Sequence, residues 1–299
     1  MSLPTKNGVS PSCIALPQGE WDSIAAFLIQ HFPNISATEW IDRMTRGDVL
    51  DGHGNVILPD HPYQAHIKIF YYRNLASEPV IPFAETVLYQ DDYIVVADKP
   101  HFLPVTPAGR YVQETLLVRL KQKLNIDTLT PAHRIDRETA GLVMFTIQPH
   151  TRDRYQALFR DRAITKQYEA IAAWHATHSF PMTVRSRLVT SDAFMVMREA
   201  EGEWNAETVI SLLEVKGDFA RYALRPTTGQ KHQLRVHMAA LGLPLLNDQI
   251  YPAHQPEFSE NSAEPDYSKP LQLLAKSLSF IDPITGQLRE FESKRSLLL

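Results

Sequence analysis

The sequence predicts an α+β protein in two parts, a small N-terminal α/β module and a larger domain with a mixed, mainly antiparallel sheet and flanking helices. Three observations carry that expectation. Near the N-terminus apolar residues recur at helical spacing, whereas beyond about residue 84 they fall into short strand-like stretches bounded by turn residues. Those stretches outnumber the helical patterns and follow one another through turns, without the strict strand–helix–strand alternation of a parallel sheet. A length of 299 residues exceeds one minimal domain and suffices for a core of roughly 200 residues plus an appendage.

Residues 1–20 carry Pro4, Pro11 and Pro17 with little periodicity and read as an arm. Trp21, Ile24, Ala25, Leu28 and Ile29 then recur at helical spacing, and Pro33 stops that helix. Ser36 is the N-cap candidate of a second helix through Trp40, Ile41 and Met44, which ends at Gly47, where a left-handed residue is wanted. Val49-Leu50 and Val56-Ile57-Leu58 around Asp51-Gly52 read as a hairpin, and Ile67 to Tyr72 as a closing strand. The order of elements over 21–73 resembles the S-four-type RNA-binding domain of ribosomal and RNA-modifying proteins. Between Trp21 and Val80, however, seven acids face four bases, Arg43, Arg46, Lys68 and Arg73. A helix pair that grips phosphate should not be net acidic, so a degenerate RNA-contacting module and a purely structural cap both stay open.

Residues 74–83, with Pro79 and Pro82, read as a linker, and 84–299 as the larger domain. Its first strands are Thr86 to Tyr89 and Tyr93 to Ala97 across Asp91-Asp92, followed by a helix over Gln113 to Leu124. Leu142 to Ile147 is an apolar run suited to a buried strand, and Arg152 to Arg160 a helix with Tyr155, Leu158 and Phe159 on one face. Strands follow at Lys166 to Ala173, Glu207 to Val215 and Phe219 to Arg225, then a helix from Gln230 to Leu241 ended by Gly242. Pro252 to Pro270 is an acidic, Pro-bearing loop, and Leu271 to Phe280 with Leu288 to Glu292 forms a final hairpin.

Composition narrows the function classes. Hydrophobic residues at 44% and charged residues at 21% are those of an ordinary globular chain. No run of about 18 apolar residues and no leader pattern appears, so a cytoplasmic location is expected. The single cysteine, Cys13, cannot form an internal disulfide, and no Cys or His group has structural zinc spacing. A net charge of −4 argues against a protein that coats nucleic acid indiscriminately, so any RNA site must be a local basic patch.

The sharpest segment is His133-Arg134-Ile135-Asp136-Arg137-Glu138-Thr139-Ala140-Gly141-Leu142, a polar loop just before the apolar strand. Flanking arginines favour an ionised Asp136, which can act as nucleophile or base without a metal. Charge pattern alone favours a surface ion-pair loop with Gly141 as a turn. From Arg221 to His237 stand four bases, Arg221, Arg225, Lys231 and Arg235, and no acid. That is the patch the composition argument requires. His133, His232 and His237 fit no zinc motif, and Gly229-Gln230-Lys231 lacks the rest of a phosphate loop.

Residues 133–142 resemble the H-R-L-D-x-x-T-S-G-L signature of the RluA family of RNA pseudouridine synthases, with Ile135 for Leu and Ala140 for Ser. The resemblance extends from about residue 84 to the end. Tyr93 to Pro100 is similar to the strand and Lys-Pro turn before the active site, Lys166-Gln167-Tyr168-Glu169-Ala170 to the Lys-x-Tyr strand, and Pro226 to His237 to the third signature. Two stretches depart: His101 to Pro107 replaces Ala-Gly-x-x-x-His-Pro, and Gln230-Lys231 replaces Arg-Thr or Arg-Ser. The resemblance implies a pseudouridine synthase catalytic fold that isomerises uridine in tRNA or rRNA without cofactor. It implies Asp136 as the catalytic carboxylate, Tyr168 stacked on the uracil, Arg235 paired with Asp136, and Arg134 inserted where the everted base stood. His133, Arg137, Lys166, Lys231 and His232 are further expected RNA contacts, and a monomer needing no protein partner is the default. A noncatalytic RNA-binding protein and a small-molecule hydrolase using Asp136 are the rival readings.

Overall fold

The computed structural model describes residues 3–73, 78–191, 196–252 and 266–298. The chain divides into two compact units, Met1–Glu78 and Pro79–Leu299.

In the first unit α1 (Ile24–His31) and α2 (Ala37–Thr45) share a core with a three-stranded antiparallel sheet, in which β3 (Lys68–Tyr71) lies between β1 (Ser12–Ala15) and β2 (Val49–Asp51). Ser23 Oγ accepts from Ala26 N and Ser36 Oγ from Glu39 N, each at 3.1 Å, so both helices start on a side-chain cap. Helix α1 ends at Phe32, since a residue before proline disfavours the helical region. Gly47 takes φ 74 where α2 stops. Trp40, Met44, Phe27 and Leu28 are buried together against Val49 and Ile69.

Two expectations change here. The stretch read as an arm contributes β1, whose Ile14 packs on this core while Cys13 stays exposed. Four residues between prolines carry too little alternation to announce a strand. The hairpin at Asp51-Gly52 reduces to a single bridge, Leu50 with Val56, and β2 pairs with β3 instead. Asp51 causes this by accepting from His53 N and Asn55 N at 2.8 Å, a side-chain-capped turn.

The second unit is built on an eleven-stranded sheet, counted over the described residues. In chain order its elements are β4 (Thr86–Gln90), β5 (Ile94–Lys99), α3 (Leu116–Leu124), β6 (Thr130–Pro131), β7 (Ala140–Thr146) and α4 (Arg152–Arg160). Then come β8 (Ile164–Ala173), β9 (Met182–Thr190), β10 (Met197–Ala200), β11 (Ala206–Lys216), β12 (Phe219–Pro226), α5 (Gln233–Ala240), β13 (Leu273–Ile281) and β14 (Leu288–Glu292). The sheet runs β10-β9-β11-β12-β8-β13-β7-β5-β4, with β14 on β13 and β6 on β7. Pairing is antiparallel except between β13 and β7, so the sheet is mixed and mainly antiparallel, an α+β architecture.

Strands β5 and β7 are apolar on both faces, which explains the run Leu142 to Phe145. Val95, Ala97, Val143 and Phe145 face a core shared with α3, while Ile94, Val96, Leu142 and Met144 face Tyr155 and Leu158 of α4. Helix α5 packs Leu234 and Met238 against Ala170, Ile210, Tyr222 and Leu273. Strands β9 and β10 have no counterpart in the sequence reading. Gly141 is a strand residue and not a turn, paired with Lys99 and Ala275. Its φ is 110, and a Cβ there would lie 2.3 Å from the Ala275 carbonyl oxygen. Residues 74–77 of the expected linker and 253–265 of the expected acidic loop lie outside the described residues. Among the described residues no helix is long and apolar enough to cross a membrane.

Candidate active site

Asp136 lies on the loop from β6 into β7, and that loop is fixed largely through its backbone. Thr139 N donates to Asp136 O at 3.2 Å, Lys99 Nζ to Arg137 O at 3.0 Å, and the His101 ring bonds Glu138 O through Nδ1 at 2.7 Å. Burial pushes His101 down to about 4, so it is a neutral ring whose Nδ1–H donates to that carbonyl. His101 and Phe102 fill the stretch that departs from Ala-Gly. Phe102 stands at the glycine position of that pattern and adopts a left-handed conformation, φ 68.

The carboxylate meets a cation from α5. Arg235, 1% exposed, grips Asp248 with Nε at 2.8 Å and Nη2 at 2.7 Å. Its Nη1 lies 3.5 Å from Asp136 Oδ2 and 3.9 Å from Glu138 Oε2. Burial opposes the Arg235 charge, but the Asp248 bonds and the charges of Asp248, Asp136 and Glu138 outweigh it and hold the guanidinium firmly protonated. Burial likewise works against the Glu138 carboxylate, yet Arg137 and Arg235 bring it down to about 2. The Lys99 ammonium is fully buried and bonds the Pro100 and Arg137 carbonyls at 3.0 Å. Burial lowers it to about 7, against the pull of Glu138 and Asp136.

Tyr168 enters from β8, where it pairs with Leu224 and Ala275. Burial, and then the negative charge of Asp136, push its hydroxyl well above the usual phenol range, so it carries its proton at neutral pH. His232 caps α5 in a left-handed conformation, is buried, and points Nε2 at Asp136 Oδ1 from 3.8 Å. Helix α5 starts at Gln233 instead of Gln230 because the Gln233 side chain accepts from Gln230 N and Thr228 Oγ1, which shapes residues 228–232 as a loop.

The structure therefore gathers Asp136, Arg235, Tyr168 and His232, and sets the other expected residues around them. Arg134 and Lys231 are exposed. Arg137 bonds Glu138 at 2.9 Å and lies over the Tyr111 ring. Lys166 bonds the Thr228 carbonyl at 2.9 Å, and burial with the nearby Arg162 charge lowers it to about 8. His133 packs flat on Phe159 at 4.3 Å, and its Nε2 accepts Met144 N, which makes it an anchor of the loop. The basic patch read over 221–237 needs correcting. Arg221 lies 3.5 Å from Glu169, Arg225 bonds Gln167, and Arg235 is turned inward to Asp248. The acid-free window is supplied with polar and acidic partners by the neighbouring strand and by the segment after α5. Sequence reasoning also missed Asp248, Lys99, Glu138 and Tyr251 as members of this site. A buried arginine on an apolar helix face demands an acid, and Asp248, just past the apolar stretch Leu243 to Leu246, was the available signal.

Residues 92–240 match the family model described as RNA pseudouridylate synthase. The chain is 31% identical over 197 residues to the human pseudouridylate synthase RPUSD2, a match covering 66% of this chain and 35% of the human protein. It therefore spans about a third of that relative's length. It is 30% identical over 222 residues to the dual-specificity RNA pseudouridine synthase RluA of Pasteurella multocida, covering 73% of this chain and 95% of that one. The fold is similar to that of human RNA pseudouridylate synthase domain containing 1, with a TM-score of 0.57 at 22% identity over 73% of this chain and 86% of the other.

Proposed function

The chain belongs to the RluA family of RNA pseudouridine synthases, and from that premise we propose that it isomerises a specific uridine of tRNA or rRNA to pseudouridine, with Asp136 as the reacting carboxylate. The observation that carries the reading is the convergence of Asp136, the buried Arg235 guanidinium 3.5 Å from it, and the protonated Tyr168 of β8. The reaction breaks the bond between ribose and uracil N1, turns the base within the site, and rejoins the ribose to ring carbon five, releasing the proton from that carbon. The carboxylate either adds to the ribose or removes a ribose proton to give a glycal. Both routes need an anion beside the sugar, and Arg235 supplies its counter-charge.

Tyr168 lies under the uracil in this reading, its ring stacked on the base with the hydroxyl protonated. Arg134, exposed two residues before Asp136, fills the gap left by the extruded nucleotide, since its planar guanidinium stacks on bases and bonds phosphate. Arg137, Lys166 and Lys231 contact the RNA, while His133 and His232 act through the loop and the carboxylate. The chain works in the cytoplasm as a monomer, without cofactor or protein partner.

The test uses RNA labelled with tritium at uridine carbon five. Tritium release is expected from the unaltered protein, and Asp136→Asn should abolish it while RNA affinity stays within about a few-fold, since charge and not bulk is removed. RNA binding without release would favour a noncatalytic binder, and turnover of a small substrate without RNA a hydrolase. Release by the Asn variant would refute the assignment.

A further inference from the structure

Arg235 and His232, which both face Asp136, are held by one short segment, residues 248–251. The Asp248 carboxylate, fully buried, grips Arg235 through both oxygens, and its Oδ1 also accepts Ile250 N at 2.9 Å and Tyr251 N at 3.1 Å. Tyr251 ends this turn with its ring beside the Arg235 guanidinium, 5.4 Å from ring centre to Cζ. Its hydroxyl accepts Met197 N at 2.9 Å and meets His232 Nδ1 at 2.9 Å.

A phenol has one proton to give. With Met197 N donating to the Tyr251 oxygen, the phenol keeps its own proton to offer, and an arrangement in which His232 Nδ1 is bare and accepts it satisfies both groups. The ring proton then sits on Nε2, the atom 3.8 Å from Asp136 Oδ1. The opposite tautomer would aim a lone pair at a carboxylate oxygen and give the phenol proton no acceptor at the ring.

We propose that Tyr251 is a positioning residue: it fixes neutral His232 in the Nε2–H form, so that Asp136 faces one donor per oxygen, His232 at Oδ1 and Arg235 at Oδ2. The inference rests on the reading of Asp136 as the reacting carboxylate. At 3.8 and 3.5 Å neither contact is a short hydrogen bond, so the carboxylate is aimed without being tied. Burial keeps His232 neutral against the pull of Asp136 and Glu138, with Arg235 and Lys231 acting in the same sense as burial.

Long-range proton–nitrogen spectra of protein labelled with nitrogen-15 in histidine report the tautomer directly, with the His232 signal assigned by its loss in His232→Gln. The expected spectrum at pH 7 has a bare Nδ1 and a protonated Nε2. Tyr251→Phe should give a mixture of tautomers and lower kcat for tritium release roughly tenfold, with KM within about twofold. A wild-type Nδ1–H tautomer overturns the proposal without any variant. So does a Phe variant that keeps both the tautomer and kcat while losing only thermal stability, the signature of plain packing. If the unaltered protein releases no tritium, the functional reading fails, and the spectra still decide the Tyr251–His232 arrangement.

Discussion

At the scale of single residues the site is a cluster of charges taken out of water, and its cost is legible in Lys99. Burial lowers this ammonium to about 7 from an ordinary value of 10.5. A lysine depressed in the folded state binds more protons unfolded than folded between those two values. Stability therefore rises with pH across that window, and the full penalty applies below pH 7. Urea unfolding at several pH values between 6.5 and 10 should show this rise in the wild type and a flatter curve in Lys99→Met, and equal slopes would show that Lys99 carries no such penalty. Asp136, Tyr168 and Arg235 could be named from sequence only through the family resemblance of the stretches around them, since their local patterns alone read as an ion-pair loop, a strand tyrosine and a solvated arginine. Asp248 and Glu138 could not be named, since an acid announces its role only when a fold brings it to a buried cation. The acid-free window from Arg221 to His237 is a patch only in part, for the same reason, since Arg221 and Arg235 meet acids while Arg225 and Lys231 are exposed. Charge counted along the chain ignores what antiparallel neighbours supply, here Glu169 to Arg221.

At the scale of elements, strands buried on both faces and capped helices were readable because their signals are local. Helix α4 has the expected bounds Arg152–Arg160 and buries the expected face of Tyr155 and Leu158, and β7 contains most of the expected apolar run. Strands β9 and β10 went unread because β9 alternates polar and half-buried residues near a sheet edge, where cross-strand pairing with β11 and not burial defines it. The element that places the Asp136 loop is β7 at its parallel junction with β13, and Gly141 makes the junction possible. An alanine there would need φ near 110 and would put a methyl group 2.3 Å from the Ala275 oxygen. Gly141→Ala should cost about 2–4 kcal/mol in urea unfolding and lower tritium release, because strain and overpacking act together at the root of the Asp136 loop. A variant as stable and active as the wild type would mean the two strands do not approach this closely.

At the scale of the whole molecule the proposed function requires a chain of net charge −4 to hold a polyanion. In the second unit Arg221 and Arg235 lie against acids, and the first unit has eight acids to five bases. Of the cations expected to contact RNA at the site, Arg134 and Lys231 are exposed and Lys166 is partly buried. Each phosphate neutralised releases counterions, so affinity falls with salt in proportion to the number of contacts. A small set of contacts implies a shallow dependence, with log affinity against log salt falling at a slope of about −2 to −4. If the first unit is a structural cap, a fragment of residues 79–299 should keep both this slope and tritium release. If that unit instead grips RNA despite its acidity, the full chain should show a slope steeper than roughly −6, and the fragment should lose several units of it. Binding measured from low to moderate salt on both proteins separates these cases, because local bases can make phosphate contacts inside an acidic module, and only the slope counts them.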